Sequence, residues 1–345
     1  MGRVGDGRLR PTVRTTVRRT AGLLLTLPLL LAVGCSSSPK AASPATPSTA
    51  SAPPTVPAPV SEASPMPVLS GGGFGSKATI TIPEGARPGG QFVVNTVSEG
   101  ERSAVNKGDW VTVNYTAKDW TTGKDLPSSY DPNGKPQLYQ AGSGQLVPAL
   151  DQSVIGKKVG TRLLVVAPPA AAFGDQGSDQ LGVAKGDTVV FVLDVVEALP
   201  PDSTLTGAMT QAAATLPQVK DNGKAPMTIT VPQGQAAPTD LQQAVLVKGE
   251  GKPVRSGQTL VVQYTGVLWS NGQQFDASWT HGGAQAVQIG TGSVIEGWDK
   301  GLVGQNVGSR VLLVVPPALG YQDKAQGAVP ANSTLVFVID ILEAV

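Results

Sequence analysis

The sequence predicts an α+β protein in which one domain occurs twice, each copy a curved antiparallel sheet wrapped around one short helix. Three observations predict it. Gly108, Tyr115, Trp120 and Gly123 recur 149 positions later as Gly257, Tyr264, Trp269 and Gly272, and Arg162, Pro168 and Pro169 recur after 148 positions as Arg310, Pro316 and Pro317. Phe191 returns as Phe337 and Glu197 as Glu343, so the spacing drifts by only a few residues, as loop adjustments between preserved strands would allow. Second, both copies carry the same series of β-branched runs bounded by Gly and Pro, which reads as strands and turns. Third, each copy holds a single stretch with helical spacing. One helix against a curved sheet is an α+β layer solution.

The elements follow in order. Residues 79–82 alternate Thr and Ile and stop at Pro83; residues 228–231, Thr-Ile-Thr-Val, alternate likewise and stop at Pro232. Further strands are expected at 110–115 and 260–264, at 162–166 and 310–315, and at 188–195 and 334–342. In the second copy Ile295, Trp298 and Leu302 fall on one helical face at i, i+3 and i+7. In the first, residues 146–155 place Val147, Leu150 and Val154 likewise. Domain one is thus expected at 74–198 and domain two at 223–345, joined by a linker at 199–222 with a short helix over 206–215.

The front end differs in texture. Six arginines within residues 1–20 precede an apolar run, 21–33, that is interrupted by Pro28 and is too short to span a bilayer. That is the layout of a signal peptide, expected at 1–34. The run ends Leu31-Ala32-Val33-Gly34-Cys35, similar to a bacterial lipobox, and Cys35 is the only cysteine of the chain. The resemblance implies cleavage before Cys35, lipidation of its thiol, and a protein anchored at the outer face of the cytoplasmic membrane. Arg18-Arg19 leaves both general and twin-arginine export open. Residues 36–73 are rich in Ser, Ala, Thr and Pro, with only Lys40 and Glu62 charged before Phe74. Such a segment cannot bury enough apolar surface to offset its ordering entropy, so 35–73 is expected to be a disordered tether.

Composition excludes several chemistries. One cysteine permits no internal disulfide. With His281 the only histidine, neither a conventional zinc site nor a Ser-His-Asp or Cys-His mechanism shared by both copies is available. The formal net charge is +1, and beyond residue 20 the remaining 20 basic residues face 24 acidic ones. That balance offers no basic face for nucleic acid. A solute-binding lobe of a transporter would need helices alternating with parallel strands, a pattern that is absent.

Five linked segments of the second copy carry a resemblance: Val262-Gln263-Tyr264-Thr265-Gly266; Gly272-Gln273-Gln274-Phe275-Asp276-Ala277-Ser278; Val294-Ile295-Glu296-Gly297-Trp298; Pro316-Pro317 followed by Tyr321; and Leu335-Val336-Phe337. In order and spacing they resemble the FKBP-type peptidyl-prolyl cis-trans isomerases. The resemblance implies a half-wrapped antiparallel sheet with a shallow apolar pocket for proline-containing, unfolded or exported polypeptides and, in many members, for macrolides. No cofactor or metal is implied. By resemblance Trp298 is the pocket floor, with Tyr264, Phe275, Val294, Ile295, Val329 and Phe337 as walls. Tyr321 and the Ile295 amide would bond substrate carbonyls, and Asp276 would sit at the rim, held by the Tyr264 hydroxyl. The catalytic set is thereby Tyr264, Phe275, Asp276, Trp298 and Tyr321.

There are departures. Gln285 and Val287 stand where the family often has an aromatic wall, and Gln322 replaces a usual glycine. His281, in a glycine-rich loop, reads as solvent-exposed. The first copy keeps Tyr115, Val147 and Phe191 but has Leu126-Pro127 for Phe275-Asp276, Leu150 for Trp298 and Phe173 for Tyr321. The leading expectation is therefore an exported prolyl isomerase with its active site in the second copy and a degenerate site in the first. The alternative is a non-enzymatic peptide-binding module or holdase using both hollows.

Overall fold

The structure is a computed structural model that describes residues 56–345. The expected signal peptide, Cys35 and the first part of the expected tether lie outside the described residues. The first repeat runs β1 (Val68–Ser70), β2 (Thr79–Thr81), β3 (Val93–Ser98), β4 (Trp110–Asp119), β5 (Asp125–Leu126), β6 (Gln137–Gln140), α1 (Pro148–Asp151), β7 (Arg162–Ala167) and β8 (Val189–Leu199). The second repeats that order: β9 (Gln218–Lys220), β10 (Thr228–Thr230), β11 (Gln242–Val247), β12 (Thr259–Leu268), β13 (Gln274–Ala277), β14 (Gln285–Gln288), α2 (Glu296–Leu302), β15 (Arg310–Val315) and β16 (Leu335–Ala344).

Each repeat forms one antiparallel sheet, ordered β3-β7-β8-β4-β5 and β11-β15-β16-β12-β13. The long strands β4 and β12 each share one edge between two short partners. Along β12, Thr259–Val262 pair with β14 while Thr265–Val267 pair with β13. The chain between those partners leaves the sheet, and the second repeat's cavity opens beside it.

The sheet is covered on both faces, giving each repeat three layers. On one face Val311, Leu313 and Val315 of β15 pack with Leu302 of α2 and with Leu260, Phe337 and Ile339. On the other, Leu312, Val314, Val336 and Val338 pack under Ile229 and Met227 of the β9–β10 segment and under Trp269. The first repeat does the same, with Leu164, Val166, Val190 and Val192 under Ile80, Ala78 and Trp120. Strands buried on both faces lose the alternation of one-sided strands, which is why β7 and β15 read as unbroken apolar runs after their opening arginines.

A buried ion pair anchors each outer layer. Arg162 and Asp194 face each other across β7 and β8, and Arg310 and Asp340 across β15 and β16, at 2.7 and 2.6 Å. Arg162 also donates to the carbonyls of Gly72 and Ser76, while Asp194 accepts from Gly75 N–H. Arg310 bonds Asp221, and Asp340 accepts from Thr204 and the Leu205 amide. In both repeats the pair fastens the preceding segment to the sheet.

Several boundaries are corrected by this layer. The tether was expected to reach residue 73, but Val68–Ser70 is a strand paired with β2, and Val60 exchanges hydrogen bonds with the β3 edge at Phe92 and Val94. Apolar residues spaced through the segment (Val56, Ala63, Met66, Leu69) find the core, which composition averaged over 38 residues conceals. The 199–222 linker contains no helix at 206–215. Thr210 instead bonds the Leu246 carbonyl at the sheet edge, and the linker's end is β9. The first-copy helix spans only Pro148–Asp151, against Glu296–Leu302 in the second. Gly297 and Gly301 let α2 lie directly on β15, since a Cβ there would come within 2.4 Å of Val315 and 2.6 Å of Leu313. The first copy has Ala149 and Ser153 at these places, and the Ser153 hydroxyl is buried without a partner.

Candidate functional site

The second repeat encloses a cavity of about 560 Å³ between β12, β13, β14, the loop into α2, and β16. Its lining includes Tyr264, Phe275, Asp276, Val294, Ile295, Trp298, Tyr321 and Phe337. Three edge-to-face ring contacts fix the floor: Tyr264–Trp298 at 5.2 Å, Trp298–Phe337 at 5.3 Å and Phe275–Phe337 at 5.5 Å. Such pairs favour one packed arrangement. Gly266 makes room for it, because a Cβ there would fall 2.8 Å from Phe275 and 2.9 Å from Phe337.

The rim is polar. The Tyr264 hydroxyl donates to Asp276 Oδ2 at 2.7 Å. Asp276 Oδ1 meets His281 Nε2 at 2.7 Å and accepts from the Ala277 amide at 2.8 Å. Burial, reinforced by Asp276, holds the Tyr264 hydroxyl well above the usual phenol range. Burial and then the same carboxylate raise Tyr321. Both phenols therefore stay protonated and able to donate. Among the described residues the Tyr321 hydroxyl and the Ile295 amide have no hydrogen-bond partner. Two free donors thus border an apolar hollow, an arrangement suited to holding peptide carbonyls while a ring sits on the indole.

The placement departs from the sequence expectation at two residues. Val329 does not line the cavity. A two-way backbone pairing with Gln326 turns it inward, where it is 3% exposed in the core. His281 is solvent-exposed as expected, but it also touches the rim carboxylate, which its glycine-rich surroundings did not signal. Gln285 and Val287 of β14 line the cavity at the wall position expected of them, and the cavity gains Ala286 from that strand and Gly292 and Ser293 from the loop before α2. Gln285 donates to the carbonyls of His281, Gly283 and Ala284, so it belongs as much to the rim loop as to the wall.

In the first repeat Leu126 and Phe191 are buried in one core cluster, with Tyr115, Val147, Leu150 and Phe173 packed against it. Pro127 is exposed. Tyr139 of β6 holds the strand position that Val287 holds in β14, as the register with Val111 and Leu260 shows. It is 2% exposed, and its hydroxyl donates to the Leu150 carbonyl at 2.8 Å. A bulky phenol therefore stands where the second repeat has a small wall residue. Sequence comparison of the expected site residues overlooked it because it lies outside their motifs.

The fold and the cavity together define a protein that carries one peptide-binding isomerase domain twice. Residues 101–196 and 250–342 each match the FKBP-type peptidyl-prolyl cis-trans isomerase domain, and the chain belongs to that family. It is 40% identical over 111 residues to an FK506-binding protein of Streptomyces anulatus, covering 32% of this chain and 90% of that one. It is 38% identical over 116 residues to a probable FK506-binding protein of Corynebacterium glutamicum, covering 34% of this chain and 96% of that one. A longer match of 27% identity over 202 residues links it to the peptidyl-prolyl cis-trans isomerase FKBP9 of Mus musculus, with 59% of this chain and 29% of that protein covered.

Proposed function

We propose that the second domain is the catalytic one and that it turns X-Pro bonds of exported polypeptides outside the cytoplasmic membrane. The observation carrying this reading is the pair of free donors, Tyr321 O–H and Ile295 N–H, beside an apolar cavity floored by Trp298. The X-Pro amide resists rotation because resonance gives its C–N bond double-bond character, with a barrier of about 18–20 kcal/mol. No bond is made or cut, so neither nucleophile nor metal is needed. Acceleration follows from binding the twisted amide better than either planar form. Twisting removes resonance and lowers the charge on the carbonyl oxygen, so an apolar floor favours the twisted state over the charge-separated planar ones. The Ile295 and Tyr321 donors hold the flanking peptide. Asp276 holds the Tyr264 edge of the pocket in place.

The first domain lacks the carboxylate, the indole and the second phenol, and we assign it no turnover of its own. Export and anchoring through Cys35 rest on the lipobox-like run alone. Cys35→Ala moves the protein from the membrane to the soluble fraction on this reading, and equal membrane retention counts against it. The catalytic assignment is tested with Asp276→Ala and Tyr321→Phe in the full chain, assayed on a peptide with leucine before proline. Loss of isomerisation in a folded chain, with peptide binding weakened in Tyr321→Phe, supports it, and both variants leaving isomerisation and binding untouched overturn it. A wild-type chain that binds such peptides and protects unfolded clients without isomerising them would favour a holdase instead.

A further inference from the structure

The rim loop of the second domain is gripped by the first. Trp110 opens β4 of the first repeat, and its indole N–H donates to the Ala284 carbonyl at 2.8 Å. The Ala284 amide in turn donates to the Pro201 carbonyl at 2.7 Å. Pro201 lies just beyond β8, in the chain joining the repeats. Gln263, 1% exposed, donates to both Pro201 and Ser203 carbonyls at 3.0 Å, and its own carbonyl accepts from the Ser278 hydroxyl. Ser278 also accepts the Tyr264 amide hydrogen bond. Gly283 allows this approach: a Cβ there would stand 2.1 Å from the Pro201 carbonyl oxygen, at a φ of +111°. The counterpart of Trp110 in the second repeat is Thr259, so the indole donor is peculiar to the copy that faces the loop.

What the loop carries makes the contact functional. His281, on Asp276, lies three residues before Ala284, and Gln285 of the cavity wall comes directly after it. Gln285 shares the Ala284 carbonyl with Trp110. Building on the catalytic reading of the second domain, we propose that Trp110 and the Pro201–Ser203 strap are positioning elements of that site. They fix the loop so that His281 stays on Asp276 and Gln285 and Val287 keep the wall closed. The first domain is thereby part of the architecture of its neighbour's pocket, and the duplication has been put to use without a second catalytic centre.

The test compares two indoles in the full chain. Trp110→Phe removes the donor to Ala284. Trp120→Phe removes a similar donor in the same domain, from Nε1 to the Ala86 carbonyl at 3.1 Å, on the outer face. Both are followed by thermal unfolding, by kcat and KM on a Leu-Pro peptide, and by calorimetric binding of that peptide. Losing one hydrogen bond at the rim is expected to raise KM and Kd at least about threefold in Trp110→Phe, with kcat near wild type, while Trp120→Phe leaves both constants unchanged. Gly283→Ala, which displaces the strap, raises them as well. Equal constants for Trp110→Phe and Trp120→Phe would overturn the proposal, whatever their melting temperatures. A wild-type chain that binds the peptide without turning it over sinks the catalytic reading, and the ratio of Kd values still decides the clamp.

Discussion

The two repeats share a skeleton down to single hydrogen bonds and differ most around the hollow. Thr116 and Thr265 each accept from the backbone of the outer segment, at Ala78 and Met227. Ser129 and Ser278 each accept from the amide of the equivalent tyrosine, Tyr115 or Tyr264. Asp151 and Asp299 each collect two loop amides before the helix. Around the hollow the agreement stops. Gly266 faces two phenyl rings, and its counterpart Ala117 accompanies a leucine at 126. Tyr139 stands where Val287 does. The copies therefore differ as a packed unit: where the small residue is larger the ring is smaller, and a phenol takes up the wall. Installing the second copy's polar groups alone is not expected to open the first copy's hollow.

The largest expected effect probes what the repeats have kept. Asp194→Ala leaves the buried Arg162 guanidinium with no paired carboxylate among the described residues, and removing one partner of such a pair costs about 3–5 kcal/mol. Asp340→Ala is expected to cost less in the second repeat, because Asp221 still pairs with Arg310. Denaturant unfolding measures both, and a larger loss for Asp340→Ala would break the equivalence of the two outer layers.

Next comes conversion of one site toward the other. Trp298→Leu with Tyr321→Phe installs the first copy's residues. Each lost interaction is worth about 0.5–1.5 kcal/mol, so kcat/KM on a Leu-Pro peptide falls about tenfold to a hundredfold. The reverse pair, Leu150→Trp with Phe173→Tyr, is expected to add no activity, because Tyr139 still occupies the wall. Adding Tyr139→Val is what allows the first repeat to bind peptide, measured by calorimetry. Activity from the reverse pair alone would show that the phenol does not fill the hollow.

A smaller effect reads the glycine. Gly266→Ala forces a Cβ against Phe275 and Phe337, and overpacking of this kind costs about 1–3 kcal/mol. Phe275→Leu in the same chain returns most of that stability, as Leu126 beside Ala117 does in the first repeat. Two independent costs that simply add would show that the residues are uncoupled.

Much of this was legible in the sequence, for physical reasons that differ by element. The repeat, the long strands and the ring cluster announce themselves through spacing and unbroken apolar runs such as Val311–Val315. The outer layer was half visible: 79–82 and 228–231 read as strands, yet their partners Val68–Ser70 and Gln218–Lys220 are three residues each, in segments whose average composition is that of a tether or linker. Short strands such as Asp125–Leu126 carry no period to detect. At the site, Tyr264, Asp276 and Trp298 sit in motifs. Val329 and His281 are placed by loop pairings with Gln326 and Asp276 that carry no periodic signal, and Tyr139 and Trp110 by contacts with Leu150 and Ala284 that no local pattern reports.

The smallest prediction concerns the ends of the two last strands. Glu197 and Glu343 hold equivalent places, and each bonds the amide of the alanine that follows it. Glu197 also pairs with Arg102 at 2.9 Å, whereas Glu343 forms no ion pair among the described residues. Its carboxyl is raised above the ordinary 4.5, chiefly by burial and further by the charge of Glu197, against the pull of the Ala344 amide and Lys252. A raised carboxyl pKa means that the folded state binds the proton better than the unfolded one does. The stability it contributes is fully present below 4.5 and is lost as pH rises through the folded value. Glu343→Gln keeps an acceptor for the Ala344 amide and removes the desolvated charge. The variant is therefore expected to be more stable than wild type at neutral pH, by less than any effect above, with the gap closing on acidification toward pH 4. Thermal unfolding of both proteins between pH 4 and 7 measures it. A gap that widens toward acid pH would mean that the Glu343 carboxylate stabilises the fold, and that the repeats' ends meet on favourable terms.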